Sequence, residues 1–344
     1  MQSSLLEILR CPVTRSRLKL QVLSYSPDSH EISEGILFAN KDWFYPIING
    51  IPYLTVEAFL DHHSFLEKHL PDYLNRKIFL VEKYERLVKH VIKKNRRTKK
   101  SFTQEWGLFD YKRDKTWDKD GSELMKQFLE ETDESPESLK NKIIFDAGCG
   151  NGMLNQYIAE AGATVIGMDF SLSIQKANDQ NTSKSSFFIQ GDVQFPPVAF
   201  EYFDIVYSSG VLICTNNTEL SFSCLEPCVK KSGKLSVWLY HPRRNFIHNL
   251  FNLIRRVTSR LPVRFQFYLY AITLFPVSFI VKRLKGNRQN AREMMIDILD
   301  WFSPQFRWEH EPSEAATWFY KRNYDSVAIT TLGTFGFNII GIKK

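Results

Sequence analysis

Residues Ile143–Gly152, Ile-Ile-Phe-Asp-Ala-Gly-Cys-Gly-Asn-Gly, decide the fold. A short apolar run ends in Asp146, and Gly148, Gly150 and Gly152 follow at every second position. The run reads as a buried strand, the glycines as a turn whose backbone can approach a ligand closely, and Met153–Ala161 as the helix beyond. A dinucleotide-binding fingerprint would set its third glycine or alanine one residue later, at Met153. Downstream, Ala163–Met168 predicts a second strand that ends in Asp169-Phe170-Ser171. Ser186–Gln190 predicts a third, followed by Gly191-Asp192-Val193. Tyr202–Tyr207 predicts a fourth that runs into Ser208-Ser209-Gly210. Lys234–Tyr240 predicts a fifth, after a turn at Lys231-Ser232-Gly233. Strands alternating with helices predict a parallel sheet whose ligand crevice lies at the carboxyl ends of its strands. Asp is an ordinary turn residue, but three strand-end carboxylates beside a glycine turn argue for a bound ligand.

The spacing Asp-x-Gly-x-Gly-x-Gly resembles motif I of the class I S-adenosylmethionine-dependent methyltransferases, of the type 11 kind. "FDIVYSSGVL…LEPCVKKSGKLSVWLY" resembles the stretch that follows it. The resemblance implies an α/β, Rossmann-like seven-stranded sheet with an antiparallel C-terminal strand, and S-adenosyl-L-methionine as cofactor. It implies cofactor contacts from Asp146, Ala147, Gly148, Cys149 and Gly150 in the turn and from Ser208 and Ser209 after the fourth strand. Asp169, with Phe170 and Ser171, would accept the ribose hydroxyls. Asp192, between Gly191 and Val193, would accept the adenine amino group. Many relatives carry His-His where this chain has Ile213-Cys214, and the amine-methylating Asn-Pro-Pro-Tyr is replaced by Tyr207-Ser208-Ser209-Gly210. His is the usual base near neutral pH, so His241, directly after the fifth strand, and His310, before the last helix, are the catalytic candidates; a histidine in either place is more often a surface or hydrogen-bonded structural one. No metal motif is present, and no metal is expected.

The flanks divide the chain further. Residues 1–56, with "LLEILRCPVTRSRLKL" and "WFYPIINGIPYLT", form a small β-rich module with Trp43, Phe44, Tyr45 and Ile51 as expected core. It resembles the small zinc-ribbon-like family whose eukaryotic relatives activate methyltransferases. Cys11-Pro12-Val13-Thr14 stands where metal-binding members have Cys-Pro-x-Cys, so the zinc ligands are missing. Residues 57–140 are expected to form a helical linker and a cofactor-covering segment, "SFTQEWGLFDY" resembling the cover of small-molecule methyltransferases. Seven cations among Lys89–Lys100 either bind phosphate or form a solvated helix face. Residues 141–240 are the expected cofactor-binding core. Residues 241–305 read as a helical lid insertion, and 306–344 as the helix and strand pair completing the core. Phe265–Val281 in the insertion is mostly apolar but shorter than the roughly twenty residues of a span. A cap helix buried over the active site is the expected reading, and an interfacial helix serving a lipid-like acceptor the alternative, since basic residues flank it.

The net charge of +7 permits an acidic partner without choosing one. Cys11, Cys149, Cys214, Cys224 and Cys228 form an odd set without disulfide-like clustering, and the N-terminus has no secretory signal pattern. A cytoplasmic setting, with peripheral membrane contact as an addition, is the expectation. The expected partner is a small-molecule or lipid-like methyl acceptor, with RNA as the alternative.

Overall fold

Four antiparallel strands come first: β1 (Lys19–Tyr25), β2 (Ile32–Ala39), β3 (Trp43–Ile48) and β4 (Ile51–Pro52), paired in that order. The computed structural model describes every residue except 28, 41, 109–118, 244, 245 and 288, and omits the side chains of 104–108 and 247. Trp43, Phe44, Tyr45 and Ile51 are all buried. The Cys11 thiol lies 3.2 Å from the Tyr45 hydroxyl and accepts from the Thr14 amide at 3.4 Å. The sheet is fastened to the rest of the chain by backbone: Arg10 N donates to Pro197 O, Ala199 N to Ile8 O, and Leu54 N to Gln190 O, at 2.8–2.9 Å.

Helices α1 (Ala58–Asp61), α2 (His63–His69), α3 (Tyr73–Lys83) and α4 (Glu85–Leu108) lead to α5 (Gly121–Thr132). Asp120 starts α5 with a capping box, accepting from Ser122 N and Glu123 N while Glu123 accepts from Asp120 N. The main unit then alternates strand and helix: β5 (Ile143–Ala147), α6 (Met153–Glu160), β6 (Thr164–Asp169), α7 (Ser173–Gln180), β7 (Ser186–Gln190), β8 (Phe203–Ser209), α8 (Thr218–Leu225) and β9 (Val229–Tyr240). Next come α9 (Phe246–Thr258), α10 (Val263–Leu284), α11 (Ala291–Phe302) and α12 (Pro312–Tyr320). The closing hairpin is β10 (Tyr324–Leu332) and β11 (Gly336–Lys343). The sheet order is β10-β11-β9-β8-β5-β6-β7; β5 to β9 run parallel, and β11 is antiparallel to both neighbours. This is a seven-stranded, Rossmann-like sheet with an antiparallel C-terminal strand, and its strand order reverses between β5 and β8. A cleft opens at such a reversal because the helices after adjacent strands leave to opposite faces.

Apolar side chains fill both faces. On one, Phe145, Ile166, Val206, Leu235 and Phe222 join the N-terminal module's core in a single continuous cluster. On the other, Phe128, Ile144, Ile158, Val165 and Ile205 pack α5 and α6 on the sheet. There the Tyr207 hydroxyl donates to Glu131 Oε2 at 2.6 Å, in a buried position. Tyr207→Phe leaves that carboxylate oxygen without its donor and should lower unfolding stability by about 1–2 kcal/mol in urea titration.

Two local expectations are corrected. Lys231–Gly233 is not a separate turn: β9 runs through it as an irregularity, with Ser232 at φ 61° and a register shift opposite Phe203 and Ile205. The apolar run Phe265–Val281 is not a buried cap. It forms most of α10, where only Val263, Gln266 and Tyr270 are buried. The helix beneath it, α11, is the one that reaches the cleft, through Asp300 and Trp301 near its C-terminal end. The expected cover segment is only partly visible, since Phe109–Tyr111 lie outside the described residues and nothing is described of the Trp106 side chain.

Candidate functional site

The glycine turn is drawn over the end of β6. Gly148 N and Cys149 N both donate to Met168 O, at 2.7 and 3.0 Å, and Gly150 N donates to Asp169 Oδ2 at 3.0 Å. Gly148 has φ 113°, and a Cβ placed there would lie 2.1 Å from Val211 Cγ2. Only glycine therefore fits, and its bare backbone leaves a cradle. Asp169 Oδ1 is filled by the Ser171 amide at 2.8 Å and hydroxyl at 2.7 Å, so its remaining acceptor capacity lies on Oδ2.

Asp192 is held from another direction. Its Oδ2 accepts from Lys94 Nζ at 2.8 Å and Asn95 Nδ2 at 3.0 Å, both on α4, and its Oδ1 accepts from Gln194 N at 2.9 Å. One acceptor position on Oδ1 is left. Behind it, the buried Glu57 accepts from Asn95 at 3.5 Å and pairs with Lys99. The chain leaving the N-terminal sheet thus braces the wall that carries Asp192.

Two cavities meet at the turn. The first, about 200 Å³, is lined by Asp169–Ser171, Gly191–Gln194 and the α4 residues Lys94, Asn95, Thr98 and Phe102. The second, about 770 Å³, lies over β5, β8 and β9 and carries Trp238, Tyr240, Trp301, Leu332 and Phe335 together with Glu123, Glu130, Glu131 and Asp146. Gly148, Gly150, Ser209, Gly210 and Asp300 line both, so the two form one trough. Burial, and then repulsion from Asp169, raises the Asp146 carboxyl from its ordinary range to about 8. Burial also raises Asp169 and Glu131, although serine and amide donors oppose it at the first and Tyr207 and Gln127 at the second. The trough is a concave site in which Lys94 pairs with Asp192, while burial raises Asp146 and Asp169 beside the glycine turn; that end suits a cationic ligand.

Of the residues named from sequence, Asp146, Gly148, Cys149, Gly150, Asp169, Phe170, Ser171, Gly191, Asp192, Val193 and Ser209 border the trough. Ala147 and Ser208 do not; Ser208 Oγ donates to Ala147 O at 2.8 Å and pins β8 to β5. Burial raises the Cys149 thiol well above its ordinary value, which makes it inert as a nucleophile. His241 sits 3.2 Å from the carbonyls of Pro242 and Gly333, and His310 pairs with Glu314 at 3.0 Å against the Trp318 ring. Neither imidazole borders either cavity. Sequence reasoning weighed Lys94 only as one cation of the basic run and gave Asn95 no role, although Lys94, Thr98 and Phe102 recur at helical spacing within and just beyond that run. It also gave no site role to Asp300 and Trp301, which open the stretch DWFSPQFRWEHEPSEAATWF before the last helix.

Residues 145–237 match the methyltransferase domain family. Over 93 residues the chain is 27% identical to the malonyl-[acyl-carrier protein] O-methyltransferase of Pseudescherichia vulneris; the match covers 27% of this chain. The chain spans 37% of the length of that curated relative. Among solved structures, it is similar to magnesium protoporphyrin IX methyltransferase from Synechocystis PCC 6803 with bound S-adenosylhomocysteine. Identity there is 14%, over 65% of this chain and 82% of that one, with a TM-score of 0.39. It is also similar to an S-adenosylmethionine-dependent methyltransferase from Thermotoga maritima, at 12% identity over 77% of this chain and 99% of that one, with a TM-score of 0.38.

Proposed function

We propose that this chain, whose residues 145–237 match the methyltransferase domain family, transfers a methyl group from S-adenosylmethionine to a small, largely apolar acceptor. One observation carries the reading: the glycine turn and Ser209-Gly210 join a narrow carboxylate-lined cavity to a wider aromatic one. The residues fit the cofactor in three ways. The Gly148–Gly150 backbone leaves space for a close approach, Asp169 Oδ2 retains an acceptor position toward a ribose, and Asp192 Oδ1 retains one toward an adenine amino group. When bound, S-adenosylmethionine supplies an electrophilic methyl on a positively charged sulfur and leaves as S-adenosylhomocysteine. Asp146 would stand near the cationic end, where a positive ligand offsets the cost of its buried charge. The protein's contribution is alignment, since a reaction of this kind gains most from holding the partners close and in line.

Trp238, Tyr240, Trp301 and Phe335 would enclose the acceptor; Arg307 lies 3.9 Å over the Tyr240 ring and 4.0 Å over the Trp301 ring, so two of these aromatics are clamped in place. The acidic lining of the wide cavity disfavours a phosphodiester acceptor. The basic run of α4 is also partly spent inside the molecule, Lys94 on Asp192 and Lys99 on Glu57 and Asp61. Both points weigh against RNA. The base role is assigned to neither His241 nor His310. The segment that leaves the N-terminal module acts as a brace for the adenine end, through Glu57 and Asn95 to Asp192.

Calorimetry with S-adenosylmethionine tests the cofactor; absence of binding to the wild-type chain refutes the reading. Asp169→Ala should weaken binding by about 1–3 kcal/mol, as expected for loss of buried hydrogen bonds to a ligand. Unchanged affinity removes Asp169 from the site. A metabolite screen with methyl-labelled cofactor should yield label in a small apolar product, and label found only in RNA favours the other acceptor class.

A further inference from the structure

The insertion between β9 and α11 carries an apolar surface that the methyl-transfer reading does not use. On α9, Phe246, Leu250, Leu253 and Val257 recur along one face and are 81%, 42%, 58% and 62% exposed. On α10, Phe265, Tyr268, Ile272, Val277, Ile280 and Leu284 form the outward face, with Ile272 at 78% and Leu284 at 83% exposed. An outward apolar face is the reverse of what an ordinary surface helix presents. The inner faces are committed to the protein. Val263 and Tyr270 of α10, with Phe251 and Ile254 of α9, pack around Met295, Leu299 and Phe302 of α11. The Tyr270 hydroxyl donates to Thr258 Oγ1 at 2.6 Å, and Lys282 pairs with Asp297 at 2.7 Å.

Charge identifies what covers this face. From His241 to Asn290 the chain has no Asp or Glu and ten Lys or Arg. The chain's net charge is only +7, so the whole positive excess lies in this segment and the remainder is slightly acidic. Arg256, Arg260, Arg264, Arg283 and Lys285 are exposed at the ends of the two helices. Apolar side chains framed by cations are the pattern that seats a helix in the interface of an anionic bilayer, with rings and aliphatic groups among the acyl chains and arginines at the headgroups. We propose that the outer face of α9 and α10 docks in the plane of an anionic phospholipid bilayer. The 22 residues of α10 have the length and apolarity of a span. Spanning would strip its inner face from α11 and break the Lys282–Asp297 pair, so in-plane seating is the consistent geometry.

Vesicle flotation with the full chain tests this, and it needs neither cofactor nor acceptor. The protein should float with phosphatidylcholine vesicles containing about one third phosphatidylglycerol, at least tenfold more than with phosphatidylcholine alone. Binding should fall when NaCl is raised from about 0.1 M to about 1 M, which shortens the screening length from ~10 Å to ~3 Å. Ile272→Glu with Ile280→Glu should reduce flotation at least tenfold while leaving the melting temperature unchanged, since both side chains are exposed. Three results would overturn the proposal: no flotation, equal flotation with neutral vesicles, or indifference to the double substitution. Extraction only by detergent, and not by salt or alkaline carbonate, would instead make α10 a span. Vesicle-independent self-association abolished by the same substitutions would make the occupant a second copy of the chain. Either result also rejects the docked bilayer.

Discussion

Binding of S-adenosylmethionine should strengthen by up to about tenfold per pH unit between pH 6 and pH 7.5. The reason is Asp146, whose carboxyl is raised to about 8 by burial and by the neighbouring Asp169. A cationic ligand beside it favours the ionised form, so the ligand-bound group titrates lower and the proton must leave on binding. Below the free-state value each further unit of acidity costs up to tenfold in affinity. The window closes near pH 7.5, because a free α-amino group itself begins to lose its proton at about 7.7–8.0. Calorimetry in two buffers of different ionisation enthalpy should register the released proton. Asp146→Asn should flatten the profile and abolish the release; an unchanged profile would remove Asp146 from the cofactor's cationic end. The same residue should limit the ligand-free fold. Its folded pKa stands above its unfolded value near 3.8, so the native state holds a proton that the unfolded chain gives up. Stability is therefore lost as pH rises from about 4 toward 8. At pH 8.5 the ligand-free Asp146→Asn protein should melt higher than the wild type, although it binds cofactor less well.

The main sheet was legible because its signals are local. Each of β5 to β8 is a short apolar run closed by a turn residue, and Asp146, Asp169 and Asp192 follow from the rule that ligands gather at strand ends. The long insertion was harder for a physical reason. Hydropathy along Phe265–Val281 shows that the segment is apolar, but apolarity does not say which face of a helix meets protein. The core contacts of α10 come from Tyr270 and Phe267, and the exposed stripe from Ile272 and Ile280; the two sets interleave along one run. Asp300 and Trp301 were given no site role because they reach the trough through the tertiary placement of α11, which a sequence does not show. Lys94 was read with its charged neighbours, since a sequence carries no sign that its partner would be Asp192, 98 residues away.

That pair supplies the other large effect. Lys94→Met should lower the unfolding free energy by about 3 kcal/mol, because removing one member of a buried ion pair leaves the other without compensation. Both side chains are only 8% exposed, and Lys94 also donates to Gln194 Oε1 at 2.8 Å. Asn95 remains to hold Asp192 Oδ2, which keeps the loss at the lower end of the range for such pairs. Thermal denaturation of the ligand-free protein measures the cost. Affinity for S-adenosylmethionine should fall as well, since the wall of α4 is released from the loop that presents Asp192. Adding Asp192→Asn to Lys94→Met separates the two effects. With no carboxylate left uncompensated, the double variant should recover part of the lost stability, the coupling expected of residues in direct contact. Its cofactor affinity should stay low, because the charged acceptor at Oδ1 is gone. If affinity returned along with stability, Asp192 would be only a strut for α4, and recognition of the adenine would have to come from elsewhere in the trough.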